Sequence, residues 1–336
     1  RMNPFSSLKL EPCTPPRWAT GGHPQTILGH LIPSPRLPLS GERVEIPLPD
    51  GDRLVGRWFE NKTSSALPRT VYLFHGLGGS TDAGYMQRSA KVALELGFHV
   101  LLVNHRGSGE GAGLARGSPH SGRAEDLSEA IRWGRARHPG GHHIAIGFSL
   151  SANALLLLLS GKRGEILPDS AIAVNAPIHL ENTAVNLSKS WNRIYDFRFV
   201  RECRRDIRYR EKLGLLDRRY EIPFTATLRD FDDLYTAPSQ GFRNREHYYA
   251  SCSTVECLDR IKTPTFILTA ADDPFVNVND YRRARLSNSV HMHIEPTGGH
   301  MGYISTRGSS MRWLDYAIGE ALSKVRDLVY SSTPAE

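Results

Sequence analysis

Strand and helix signals alternating along the 336 residues predict an α/β protein. The expected form is a mostly parallel central sheet flanked by helices, with an antiparallel hairpin at the N-terminal end and a helical insertion before the last two strands. Three observations carry this. Several short apolar runs, such as Val71-Tyr72-Leu73-Phe74 and Ile144-Ala145-Ile146, lack alternation, as strands buried on both faces do. Helical periodicity follows most of them, which calls for crossover connections between parallel strands. From Pro177 to about Cys257 the strand signal disappears, and Arg, Tyr, Phe and Asp dominate.

In chain order, residues 1–40 are proline-rich and weakly periodic and read as an extended arm over the surface, with a short helix beginning near Gly22-His23-Pro24. Arg43 to Leu48 alternates polar and apolar residues, Pro49-Asp50-Gly51-Asp52 supplies a turn, and Leu54 to Phe59 returns as the second strand of a hairpin. Asn61 to Arg69 is a polar loop. A strand from Val71, a helix over Tyr85 to Leu96, a strand over His99 to Val103 and a helix over Ala124 to Arg137 follow. His143 to Ile146 is the next strand and leads into a helix containing Leu155 to Leu159. Ala171 to Asn175 is another strand. After the insertion come a strand at Thr265 to Ala270, a helix at Asn279 to Ser287, a strand at His291 to Ile294 and a last helix from Ser309 to Val329. The expected organisation is an arm (1–40), a core (41–177 and 258–330) and an inserted helical cap (178–257).

Apolar and charged shares of 40% and 23% are those of an ordinary globular protein, and no apolar run is long enough to span a membrane. Arg1 to Leu10 shows no basic stretch leading into an apolar core, so no secretory signal is expected. Cys13, Cys203, Cys252 and Cys257 have no metal-binding spacing; reduced thiols in a cytoplasmic protein, with no metal and no cofactor, are the expectation. The formal charge of +7 is concentrated between Arg193 and Arg219, where ten Lys/Arg face five Asp/Glu. Acidic residues interleave there and no nucleic-acid motif accompanies them, so a solvated helix face is expected and no nucleic-acid partner.

The chemistry centres on Gly147-Phe148-Ser149-Leu150-Ser151. A serine between a strand and a helix, with small residues two places before and after it, is the sequence form of a nucleophile elbow. A serine hydroxyl needs a base to take its proton, and a histidine base needs a third group to fix its tautomer. In this architecture the acid and then the histidine follow the serine, each after a strand. Asp272-Asp273 follows the strand at Thr265 to Ala270, and Gly298-Gly299-His300 follows the strand at His291 to Ile294. Ser149 is therefore expected as nucleophile, His300 as general base and then acid, and Asp273 as the orienting carboxylate. Asp272 is the alternative acid; Asp273 is favoured because Val276 follows it at the spacing usual in such enzymes, leaving Asp272 as an acceptor within the loop. Donors for an oxyanion are expected from the backbone N–H groups of Leu150, at the start of a helix, and Leu77, in the glycine-rich His75-Gly76-Leu77-Gly78-Gly79 loop. His75 is read as bracing that loop. The loop lacks the spacing of a phosphate-binding fingerprint.

These residues resemble the alpha/beta-hydrolases, and within them the YheT-like branch of alpha/beta-hydrolase-domain proteins. Matching stretches include His23-Pro24-Gln25-Thr26-Ile27, Asn104-His105-Arg106-Gly107, His120-Ser121-Gly122 and Ala271-Asp272-Asp273-Pro274-Phe275. Ser151-Ala152 stands where such proteins commonly have a Gly-Gly pair. The resemblance implies an alpha/beta-hydrolase fold and a serine esterase or lipase acting on a small-molecule or lipid ester, with peripheral contact to lipid surfaces among its options. Thioester or amide cleavage by the same three groups, and an inactive binding protein on the same fold, are the alternatives. Phe197, Phe199, Tyr209, Tyr220, Phe224, Phe231, Tyr235 and Phe242 are candidates to line an acyl pocket or simply to pack the insertion. Oligomeric state is not legible.

Overall fold

The computed structural model describes residues 3–37, 41–63, 67–306 and 311–331. Eight strands form one sheet: β1 (Glu42–Pro47), β2 (Arg53–Phe59), β3 (Arg69–Phe74), β4 (His99–Asn104), β5 (His142–Phe148), β6 (Ser170–Val174), β7 (Thr265–Ala270) and β8 (Val290–Glu295). Their spatial order is β1-β2-β4-β3-β5-β6-β7-β8. β1 and β2 pair antiparallel, as does β2 with β4, and every other pairing is parallel.

The apolar runs explain the layers. Strand side chains alternate between faces, so Tyr72, Phe74, Leu101 and Val103 enter one buried cluster while Val71, Leu73, Val100 and Leu102 enter another. The helices complete these clusters: α1 (Gly22–Leu31), α2 (Gly84–Glu95), α3 (Ala124–Arg137), α4 (Leu150–Leu159), α5 (Leu180–Leu187), α6 (Arg193–Lys212), α7 (Leu228–Phe231), α8 (Ala237–Ser239), α9 (Arg245–Cys252), α10 (Val278–Arg283) and α11 (Trp313–Ser331). α3 and α4 cover one face of the sheet; α2 and α11 cover the other. Every residue of α4 is buried, which its five consecutive leucines require. Helices α5 to α9 fill the chain between β6 and β7, where strand periodicity is missing from the sequence. Asn153 of α4 ties them down, donating to the carbonyls of Ser121 and Cys252 and accepting from the Thr254 hydroxyl.

The structure differs from expectation in three places. The N-terminal arm is not only a surface wrap. Phe5, Ala19 and Gln25 are fully buried. Phe5 enters the cluster around α2 and α11, and the Gln25 amide bonds the carbonyls of Ala19 and Ile304 and the Ile304 N–H. Arg210 of α6 is also buried, despite its place in the basic stretch. It pairs with Asp206 and donates to the carbonyls of Arg106, Ala115, Arg116 and Gly117. α10 ends at Arg283, before the expected Ser287. The expected start of the last helix, Ser309, lies outside the described residues.

Candidate active site

The sheet reverses its building direction at β3, which lies between β4 and β5. The crevice at the carboxyl ends of strands beside such a switch is where α/β sheets bind ligands. The loops after β3 and β5 both reach it. Phe148 ends β5 and Leu150 begins α4, so Ser149 alone makes the turn, with φ of 52° and ψ of −115°. This backbone is costly for a residue with a side chain. Its neighbours over-determine it: the Ser149 N–H continues the sheet by donating to the Val174 carbonyl (2.8 Å). A Cβ on Gly147 would lie 2.6 Å from the Ser151 carbonyl oxygen, so only glycine fits there.

The ends of β7 and β8 deliver the two remaining groups. The Ser149 hydroxyl lies 2.8 Å from His300 Nε2, and His300 Nδ1 lies 2.7 Å from Asp273 Oδ2. With Nδ1–H donating to the carboxylate, Nε2 is left to accept the serine proton. The two aspartates of the loop after β7 take different partners. Asp273 Oδ1 accepts the N–H groups of Phe275 and Val276 while Oδ2 faces the imidazole. Asp272 accepts the Thr297 hydroxyl and the N–H groups of Gly298 and Gly299, holding the histidine loop in place. Phe275 packs against the His300 ring, with centroids 4.2 Å apart.

Leu77 and Leu150 both line the cavity that opens beside Ser149. Among the described residues, neither backbone N–H donates to another protein group. The Gly76 N–H is taken by the Tyr85 hydroxyl (2.8 Å), which fixes the loop after β3. The cavity holds about 390 Å³ between the loops at the strand ends and helices α5, α6, α7 and α9. Of the aromatic residues named from the sequence, Phe199, Tyr209, Phe231 and Tyr235 line it, whereas Phe197, Tyr220, Phe224 and Phe242 do not.

Apart from His75, expected from the sequence to brace its loop, several residues that support this arrangement carry no signal of such a role in the sequence. Asn175, just past β6 and with φ of 51°, donates to Asp273 Oδ2 (2.8 Å) and to the Gly299 carbonyl (3.1 Å). Its own oxygen accepts the Tyr303 hydroxyl. The hydroxyl of Thr26, in α1, accepts the His300 N–H (2.8 Å), so the N-terminal arm anchors the histidine loop. Ser151 is fully buried and faces away from the cavity. Its hydroxyl bonds the His75 carbonyl and His105 Nε2. Burial lowers the pKa of His75 to about 3 and that of His105 to about 4, so both rings are neutral braces. The His105 N–H donates to His75 Nε2, leaving His75 Nδ1–H for the Gly76 carbonyl.

A model of the alpha/beta hydrolase fold matches residues 69–306. The chain belongs to the alpha/beta hydrolase fold family. This hydrolase is 30% identical over 317 residues to YheT, a candidate esterase of Escherichia coli (strain K12), covering 92% of each chain. It is 27% identical over 263 residues to the monoacylglycerol lipase of Saccharomyces cerevisiae, covering 75% of this chain and 58% of the lipase. Among solved structures, the esterase Pf2001 of Pyrococcus furiosus superposes with a TM-score of 0.56 at 20% identity, covering 94% of this chain and 98% of that one; at that identity the likeness speaks for the fold. The hydrolase is an enzyme of the esterase and lipase type. Among the described residues no helix is long and apolar enough to cross a membrane.

Proposed function

We propose that the chain is a serine hydrolase of carboxylic esters, with Ser149 as nucleophile, His300 as general base and then acid, and Asp273 as the carboxylate that orients the imidazole. The observation that carries this reading is the unbroken hydrogen-bond chain from the Ser149 hydroxyl through His300 to Asp273. His300 removes the hydroxyl proton as Oγ attacks the ester carbonyl, and the imidazolium gains the attraction of Asp273. The N–H groups of Leu77 and Leu150 receive the tetrahedral oxyanion, Leu150 with the added field of the α4 N-terminus. His300 returns the proton to the leaving alcohol. Water then attacks the acyl-serine in the same way and releases the acid. No cofactor takes part.

The 178–257 helices act as a cap over a core formed by 41–177 and 258–330, and the acyl chain lies beneath them. Leu180, Ala184, Leu187, Phe199 and Phe231 give the cavity apolar walls suited to a short- or medium-chain acyl group or an acyl lipid. The lipase and esterase names of the relatives support ester substrates. All four cysteines are free, in keeping with a cytoplasmic setting.

Hydrolysis of p-nitrophenyl esters of increasing chain length, with Ser149→Ala as control, tests the assignment. The variant folds normally and loses turnover by a factor on the order of a million. Turnover near the wild-type level in that variant sinks the assignment.

A further inference from the structure

We propose that the outward face of α6, with the turn before it, is a docking surface for an anionic lipid bilayer. This helix and the segments beside it leave large apolar side chains in solvent. Trp191 is 73% exposed, Phe224 67%, Ile194 56% and Phe197 43%. Phe197 and Phe224 form an edge-on pair with centroids 5.5 Å apart, and Ile194 and Trp191 stand three and six residues before Phe197. Ile27, His30 and Leu31 on α1 are also exposed, and the His30 ring meets Arg198 of α6.

A basic row continues from this apolar end. Arg198, Arg201, Arg204, Arg205 and Arg208 recur along the outer side, whereas the helix buries Tyr195, Val200 and Ile207. Two acids break the run in sequence: Asp206 is held by the buried Arg210, and Glu202 pairs with Arg205, which leaves the other arginines of the row uncompensated by them. Among the described residues Arg201, Arg204 and Arg208 make no ion pair, and Arg204 lies over the Phe224 ring. Exposed tryptophan and phenylalanine beside unpaired arginines suit a bilayer interface, where rings enter the headgroup region and guanidinium groups meet lipid phosphates. A second copy of the chain fits poorly, because a twofold contact would set arginine against arginine. Exposed Arg205 and Tyr209 also line the cavity, so its mouth lies along this same helix. A bilayer seated there delivers lipid straight to the opening.

The surface stands apart from the proposed chemistry, and its test reads binding. Sedimentation with vesicles of equimolar phosphatidylglycerol and phosphatidylcholine carries the chain down, while pure phosphatidylcholine vesicles leave it in solution. Each neutralised arginine lowers partitioning about fivefold, so Arg201→Gln, Arg204→Gln and Arg208→Gln together lower it about a hundredfold. Hydrolysis of a water-soluble short-chain ester by that variant is unchanged, which separates a lost surface from a lost fold or site. Trp191→Ser with Ile194→Ser also weakens binding. No binding to the anionic vesicles, or binding indifferent to the three arginines, overturns the proposal. Binding that needs the arginines but not Trp191 and Ile194 marks a general polyanion site and overturns the lipid assignment.

Discussion

At the residue scale, the site depends on groups that never touch a substrate. Asn175 joins the Asp273 carboxylate, the backbone of the histidine loop and Tyr303, all without exposure to solvent. A carboxylate that loses one of its donors can swing, and the imidazole then loses its aim at Ser149. Asn175→Ala is expected to lower kcat by about ten- to a hundredfold, with KM little changed, because misplacement by about an ångström costs that much. Steady-state kinetics on one soluble ester checks this, and an unaltered kcat would remove Asn175 from the account. Ser149, His300 and the Asp272-Asp273 pair were legible in the sequence because each follows a strand in the order this architecture demands. Asn175 was not, since a hydrogen bond spanning 98 residues leaves no local pattern.

At the scale of elements, His75 and His105 bind the loops after β3 and β4 to α4 through Ser151. The sequence asked only that residue 151 be small; its hydroxyl makes it a structural tie as well. The rings must stay neutral, and that makes the junction acid-sensitive. The unfolded chain takes up protons on histidine near pH 6.5, whereas folded His105 does so only near pH 4 and His75 near pH 3. The unfolded state therefore binds more protons across this window, and stability falls as pH drops from about 6.5 toward 4. His105→Asn removes one of the two contributions, so its melting temperature should fall less between pH 7 and pH 5 than that of the wild type. Thermal unfolding at the two pH values checks this; equal losses in both proteins would contradict it.

At the scale of the whole molecule, the active edge is assembled from both ends of the chain. Thr26 of the arm supports His300, Gln25 bonds the strand-like segment at Ile304, and the Trp313 indole donates to the Glu11 carbonyl. The parallel core and the elbow could be read from apolar runs, because burial on both faces dictates residue type directly. The arm could not, because its prolines suppress the periodicity that reports burial. Arg210 shows the same limit in reverse. A charge within a basic helix reads as solvated, and only the fold brings it four carbonyl oxygens and a carboxylate.

What matters most is whether the hydroxyl beside His300 is nucleophilic in the folded protein. Incubation with a fluorophosphonate probe, followed by mass spectrometry of the digested chain, measures this at a single atom. One adduct is expected, on Ser149, and it disappears when His300 is replaced by alanine. A folded wild-type chain that takes up no probe at Ser149, or one labelled equally well without His300, would contradict it.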